Sequence, residues 1–120
     1  QNVSFEEALE RVQKSLQEQG FGVLTEIDVK ATMKKKLDVD FRPYKILGAC
    51  NPPYAHKALV AEEQIGLMLP CNVVVYENEN GKTVVAAIDP IASMQAVEDD
   101  ALGKVAKEIK VKLQKVISNL

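Results

Sequence analysis

Two β-branched runs around a glycine turn constrain this chain more than any other feature. Cys71-Asn72-Val73-Val74-Val75-Tyr76-Glu77 and the stretch Lys82 to Ile88 flank Asn78-Glu79-Asn80-Gly81. β-Branched and aromatic residues suit a pleated surface, and each run is too short for a helix. Asn80-Gly81 can take positive φ, which closes a hairpin. Residues 71–88 are therefore expected to form an antiparallel hairpin. Its apolar residues run on almost without alternation, so both faces of the sheet need cover, helices on one side and a second subunit on the other.

Helices of the right kind stand at both ends of the chain. Ser4-Phe5-Glu6-Glu7 is a capping box, after which Phe5, Ala8, Leu9, Val12 and Leu16 share one helical face. Gly20 ends that helix, and Phe21 can fold back onto Leu16 as in a Schellman motif. The last helix begins in Glu98-Asp99-Asp100, acidic residues that suit a positive dipole end. Its apolar stripe is Leu102, Val105, Ile109, Leu113, Val116 and Leu120. The stretch from Ile91 to Val97 reads as a short helix that brings Met94 to the core.

Between these helices and the hairpin lie two more strands. Gly22 to Ile27 is one, with Val23, Thr25 and Ile27 on one face and Leu24 and Glu26 on the other. Asp28 caps a short helix with Val29, Met33 and Leu37 on one stripe. Lys34-Lys35-Lys36 in its last turn is a solvated end that suits the dipole; phosphate binding is the sharper alternative. Tyr44 to Cys50 is the second strand, with Tyr44, Ile46, Gly48 and Cys50 on one side and Lys45, Leu47 and Ala49 on the other. A helix then runs from Pro52 toward Gln64, with Gly66 as its stop. The whole predicts one α+β domain over residues 1–120. Its two layers are a mixed sheet of about four strands with helices on one face, the hairpin 71–88 and a long C-terminal helix.

Any chemistry in this chain centres on Cys50-Asn51-Pro52-Pro53-Tyr54-Ala55-His56. Asn51 stands where a helix N-cap belongs, and Pro52 and Pro53 are tolerated in a first turn. A strand end that meets a helix start can gather free amides and a positive dipole end, which favour an anion or a thiolate. Cys50, Asn51, His56 and, earlier in the stretch, Arg42 are thus the candidate ligand-binding residues for a small anion. The bland alternative is a capped helix beside a core cysteine, with His56 facing solvent. Cys71 repeats the Cys-Asn pair at the next strand head. It lies near Cys50 only if the two strands run antiparallel, and a zinc site of Cys50, His56 and Cys71 would need that arrangement plus a fourth ligand. No catalytic residue set, P-loop, dinucleotide fingerprint or nucleophile elbow is present, and no cofactor is implied.

Composition narrows the partners. The net charge of −2 gives no basic excess for a nucleic-acid surface, and no apolar run is long enough to span a bilayer. Two cysteines make no disulfide framework, and they read as reduced thiols of a cytoplasmic protein. The first residue is Gln1 rather than Met, so a processed, exported form stays open.

Three ordered blocks resemble a known family. They are Gly20-Phe21-Gly22-Val23-Leu24-Thr25-Glu26-Ile27-Asp28, then Phe41-Arg42-Pro43-Tyr44-Lys45-Ile46-Leu47-Gly48-Ala49-Cys50-Asn51-Pro52, then Leu69-Pro70-Cys71-Asn72-Val73-Val74-Val75-Tyr76-Glu77. Together they are similar to the signature blocks of the domain of unknown function 302 family, small bacterial and archaeal proteins. The resemblance spans essentially the whole chain. It implies an α+β fold and dimerisation, and it carries no assigned activity or catalytic residue. Three readings follow: a non-enzymatic homodimer that binds a small anion near Cys50, a thiol or metal protein built on Cys50 with His56 or Cys71, and a structural interaction module.

Overall fold

The computed structural model describes residues 3–93 and 100–120, with backbone alone at 92, 93 and 100–102. The expected place of Met94 and the helix start at Glu98-Asp99 lie outside the described residues. In chain order the elements are α1 (Phe5–Glu18), β1 (Gly22–Asp28), α2 (Val29–Leu37), β2 (Tyr44–Cys50) and α3 (Pro52–Ala61). A 3₁₀ helix (Glu63–Met68), β3 (Cys71–Glu77), β4 (Thr83–Ala87), α4 (Pro90–Ser93) and α5 (Asp100–Ser118) complete the order.

The local signals at α1 act as expected. Ser4 Oγ accepts from the Glu7 amide at 3.1 Å, although the Glu7 carboxylate pairs with Arg11 at 3.3 Å instead of reaching back. At the other end Phe21 N donates to Leu16 O at 2.9 Å and Gly20 N to Gln17 O at 3.0 Å, the paired bonds of a Schellman motif. Gly20 has φ 86, a conformation that costs a Cβ-bearing residue energy. Asp28 caps α2 through the Ala31 amide at 3.0 Å. The apolar stripe expected on α2 buries nothing: no residue of that helix is buried, and Leu37 is 66% exposed. Lys34 pairs directly with Asp38 at 2.9 Å and Asp40 at 3.6 Å on an exposed helix end.

The sheet is a four-stranded meander, β1-β2-β3-β4, and every neighbouring pair is antiparallel. The mixed sheet expected from alternating helices and strands is therefore corrected. A parallel crossover needs a helix laid across the sheet with an apolar face against it. α2 has no buried residue to offer, and α3 packs against α5 rather than across the strands. Both connections turn back at the sheet ends.

Two registers also differ from simple alternation. Val23 pairs with Ala49 but Thr25 with Gly48, so Leu24 is an extra residue in a β-bulge. Val23 thereby joins the core side, while Thr25 and Ile27 lie on the opposite face. In the hairpin, Asn78 N donates to Lys82 O at 2.8 Å and Asn78 Oδ1 accepts from the Asn80 and Lys82 amides. Positive φ falls on Gly81 alone, the pattern of a three-residue loop rather than a two-residue turn.

α1 and α5 pack on one face of the sheet. The core joins Val12 and Leu16 of α1, Leu47 of β2, Val73 and Val75 of β3, and Val116 of α5, all fully buried. Ser15, buried in α1, donates its hydroxyl to the Val116 carbonyl at 3.0 Å and so clips α1 to the last turn of α5. The opposite face carries Gly48, buried beneath Thr25 and Pro70, and half-buried apolar residues such as Ile46 and Val74. Its cross-strand rows, Thr25-Gly48-Asn72, Ile27-Ile46-Val74-Ala86 and Tyr44-Tyr76-Val84, contain no charged residue. Tyr44 and Tyr76 stack there at 4.9 Å between ring centroids.

Candidate functional site

The meander decides the question the two cysteines pose. Cys50 ends β2 and pairs with Gly22, while Cys71 opens β3 and pairs with Ala49. Antiparallel order thus brings both to one end of the sheet, where they line the same cavity of about 290 Å³. β1 and β2 supply Leu24 and Ala49, α3 supplies Ala55 and Ala58, and Leu69 and Ile109 close the far wall. Small side chains on α3 leave this space. Ala58 is fully buried and carries nothing beyond its methyl, so the helix approaches α5 without filling the end of the sheet.

Asn51 stands at the N-cap position of α3, but its side chain makes no cap bond. Its Nδ2 donates instead to the Gln19 carbonyl at the end of α1, at 3.2 Å. It is 7% exposed, and its amide lies 3.2 Å from where a Cβ on Gly20 would sit. Asn51 therefore ties the C-terminus of α1 to the strand end, satisfying one of the carbonyls that a helix end leaves over. The local grammar of a cap is present; the contact that uses the side chain is tertiary.

The anion-binding geometry expected here is thin. Pro52 and Pro53 occupy the first two helical positions and have no N–H. The Ala55 amide is already spent on Asn51 O at 2.9 Å. Among the described residues, no cationic side chain lines the cavity. Burial pushes the Cys50 thiol up, and burial, reinforced by neighbouring Cys50, pushes Cys71 up to about 11. Both thiols are neutral under ordinary conditions, so neither is an activated nucleophile.

The other two candidates lie elsewhere. Arg42 precedes β2, and six strand steps of ~3.3 Å put it on the order of 20 Å from Cys50. There it donates Nε to the Glu77 carbonyl at 3.1 Å and stacks over the Phe41 ring at 5.0 Å. His56 lines a different groove, about 480 Å³ between α3 and α5, with Lys57, Lys104 and Glu108. One step along α3 turns a side chain by about 100°, so Ala55 faces the cysteine cavity and His56 does not. The set Cys50, His56 and Cys71 is accordingly not assembled. Among the described residues, no three His, Cys, Asp or Glu side chains come together as a metal site. A third depression, about 670 Å³, runs between β4 and α5.

Comparison with other proteins agrees with this picture of fold and signature. The family model described as "Domain of unknown function DUF302" matches residues 1–120. The chain belongs to the DUF302 family. A crystal structure of an uncharacterized conserved DUF302 protein from Bacillus stearothermophilus is similar at a TM-score of 0.89 and 34% identity. That similarity covers 98% of this chain and 91% of the other. Among curated proteins, none matches. The three blocks that carry the resemblance meet in space: the first supplies the β1 bulge, the second Cys50 and Asn51, and the third Leu69 to Cys71, all at the cavity. No described helix is long and apolar enough to cross a membrane.

Sequence reading missed Leu24, Leu59, Leu69 and Ile109 as walls. The signal for them in the sequence is the Ala55/Ala58 pair, small residues three apart on a helix that should otherwise present bulk to a core.

Proposed function

We propose that the protein is a non-enzymatic binding domain whose cavity at Cys50 holds a small molecule. The observation that carries this reading is the cavity itself, which sits where the three signature blocks converge. A space of about 290 Å³ at a strand end is at the lower edge of small-ligand sites. Catalysis gains no support, since the two thiols are held neutral and, among the described residues, no general base lines the cavity with them. Unbridged cysteines suit a reducing compartment, and we place the protein in the cytoplasm on that ground. Native mass spectrometry of the protein as purified is the test. A mass above that of the bare chain supports the reading. A bare chain that no member of a small-molecule library stabilises to heat overturns it.

A second reading, compatible with the first, has its own observation. The sheet face opposite the helices carries no charge in any cross-strand row. Its four strands cover on the order of 400 Å² in projection, the size at which an apolar patch marks an interaction surface. We infer that two copies pack these faces together, because one uncharged face complements itself about a two-fold axis. Size-exclusion chromatography with light scattering should give a dimer at micromolar concentration; a monomer removes the inference.

A further inference from the structure

We propose that the cavity at Cys50 takes an uncharged, apolar ligand of about ten non-hydrogen atoms, an aliphatic chain or a small ring system, and rejects ionised ones. This rests on the reading of the cavity as a ligand site and names what that site selects. The size follows from the 290 Å³ volume and the ~30 Å³ that one water-sized group occupies.

The selectivity follows from the walls. Among the described residues, no Lys, Arg, His, Asp or Glu lines the space. The cation and imidazole nearest in sequence, Lys57 and His56, line the groove on the other flank of α3. The one amide group in the wall, that of Asn51, donates to Gln19. Pro52 and Pro53 remove the amides that a helix start would otherwise present. A carboxylate or phosphate entering here would lose its water and meet no cation among the described walls, only weak S–H donors and the second Asn51 N–H, so its desolvation is largely uncompensated. An alkyl group loses nothing and gains contact with Ala55, Ala58 and Leu69. The entrance has the same character: Leu24 and Leu59 both line the cavity and are 68% and 44% exposed. The β1 bulge is what places Leu24 there, out of the alternation of its strand.

The test compares two probes that share a chain and differ in charge, 1-octanol and octanoate, titrated into the labelled protein at neutral pH and read by amide chemical shifts. The proposal predicts saturable shifts at Cys50, Ala55 and Cys71 with 1-octanol, and binding of octanoate weaker by at least about tenfold. Equal or tighter octanoate binding at those amides overturns the apolar class and leaves the ligand site standing. Absence of saturation with either probe, or shifts confined to the open sheet face, overturns both. Ala55→Leu should fill the space and abolish the shifts. Leu24→Lys, at an exposed position where the fold is safe, sets a cation at the entrance and should narrow the preference for octanol. An unchanged ratio in that variant places the binding elsewhere and overturns the proposal.

Discussion

Asn51 offers a clean discrimination between two roles. Its position is that of an N-cap on α3, but its Nδ2 donates to the carbonyl of Gln19, 3.2 Å away. Asn51→Ala removes that donor and leaves a part-buried acceptor without it. A hydrogen bond is worth ~1 kcal/mol net, and an abandoned buried partner adds to the loss, so we expect a loss of about 1.5 kcal/mol. In a domain of this size that lowers the thermal midpoint by about 6 °C. The informative companion is Asn51→Asp. Asp caps helices as well as Asn does, so a capping role predicts a variant close to wild type at neutral pH. A donor role predicts the opposite, because the carboxylate turns a second acceptor toward Gln19 O and loses at least as much as Ala. It further predicts partial recovery as the pH falls below about 4, where a protonated carboxyl can donate again. Urea unfolding of both variants across pH decides the matter. An Asp variant as stable as wild type refutes the reasoning.

Four further outcomes follow from the packing. A Cβ on Gly48 would run into Thr25 Oγ1 and come within 2.7 Å of Pro70 Cγ, so Gly48→Ala should cost ~1–3 kcal/mol in urea unfolding; a loss under ~0.5 kcal/mol would mean that both neighbours give way. Ser15→Ala removes the buried bond from α1 to the Val116 carbonyl and should cost about 1–2 kcal/mol by the same assay. Cys71 has a folded-state pKa raised from 9.0 to about 11, so its contribution is intact below about pH 9 and is lost as the pH rises toward 11, on the order of 3 kcal/mol in all. Cys71→Ala should flatten that alkaline decline, and an unchanged slope would contradict the burial argument. Val74→Lys, in the middle of the uncharged face, should turn a dimer into a folded monomer by light scattering while its own unfolding free energy shifts by less than ~1 kcal/mol.

What was legible in the sequence was what is settled by near neighbours. The Schellman ending at Leu16, Gly20 and Phe21 is a matter of five consecutive residues, and it stands in the structure bond for bond. Alternation puts Leu47 and Ala49 on the core face of β2, where both are buried, while Gly48 between them is buried on the other face by Thr25 and Pro70. The β1 faces fail at one point because a bulge adds a residue without any local signature, which moves Val23 to the core and Leu24 to the cavity entrance. Strand direction was equally hidden. Alternating helices and strands suit parallel or antiparallel order, and the choice turns on whether the connecting helices have an apolar face to lay on the sheet. Exposure of α2 shows that one does not.

The candidate site divides along the same line. Cys50 and Asn51 were found because a strand end and a helix start meet there, whatever the tertiary fold. Their partners came from afar: Gln19 for Asn51, Cys71 and Ile109 for the cavity wall. Arg42 and His56 were grouped with them by nearness in sequence, and elementary geometry separates them. A strand of this length carries Arg42 to the other end of the sheet, and one step of helix rotation turns His56 to the other flank of α3.

The cavity itself admits a direct measurement. An apolar space takes up xenon, whereas a polar one holds ordered water on several hydrogen-bond partners. A crystal of the protein under xenon pressure should show a xenon peak within the walls formed by Cys50, Ala55 and Cys71, and none in a crystal of Ala55→Leu. Ordered water in that space, or Leu24 and Leu59 folded into it so that no space remains, would contradict the account.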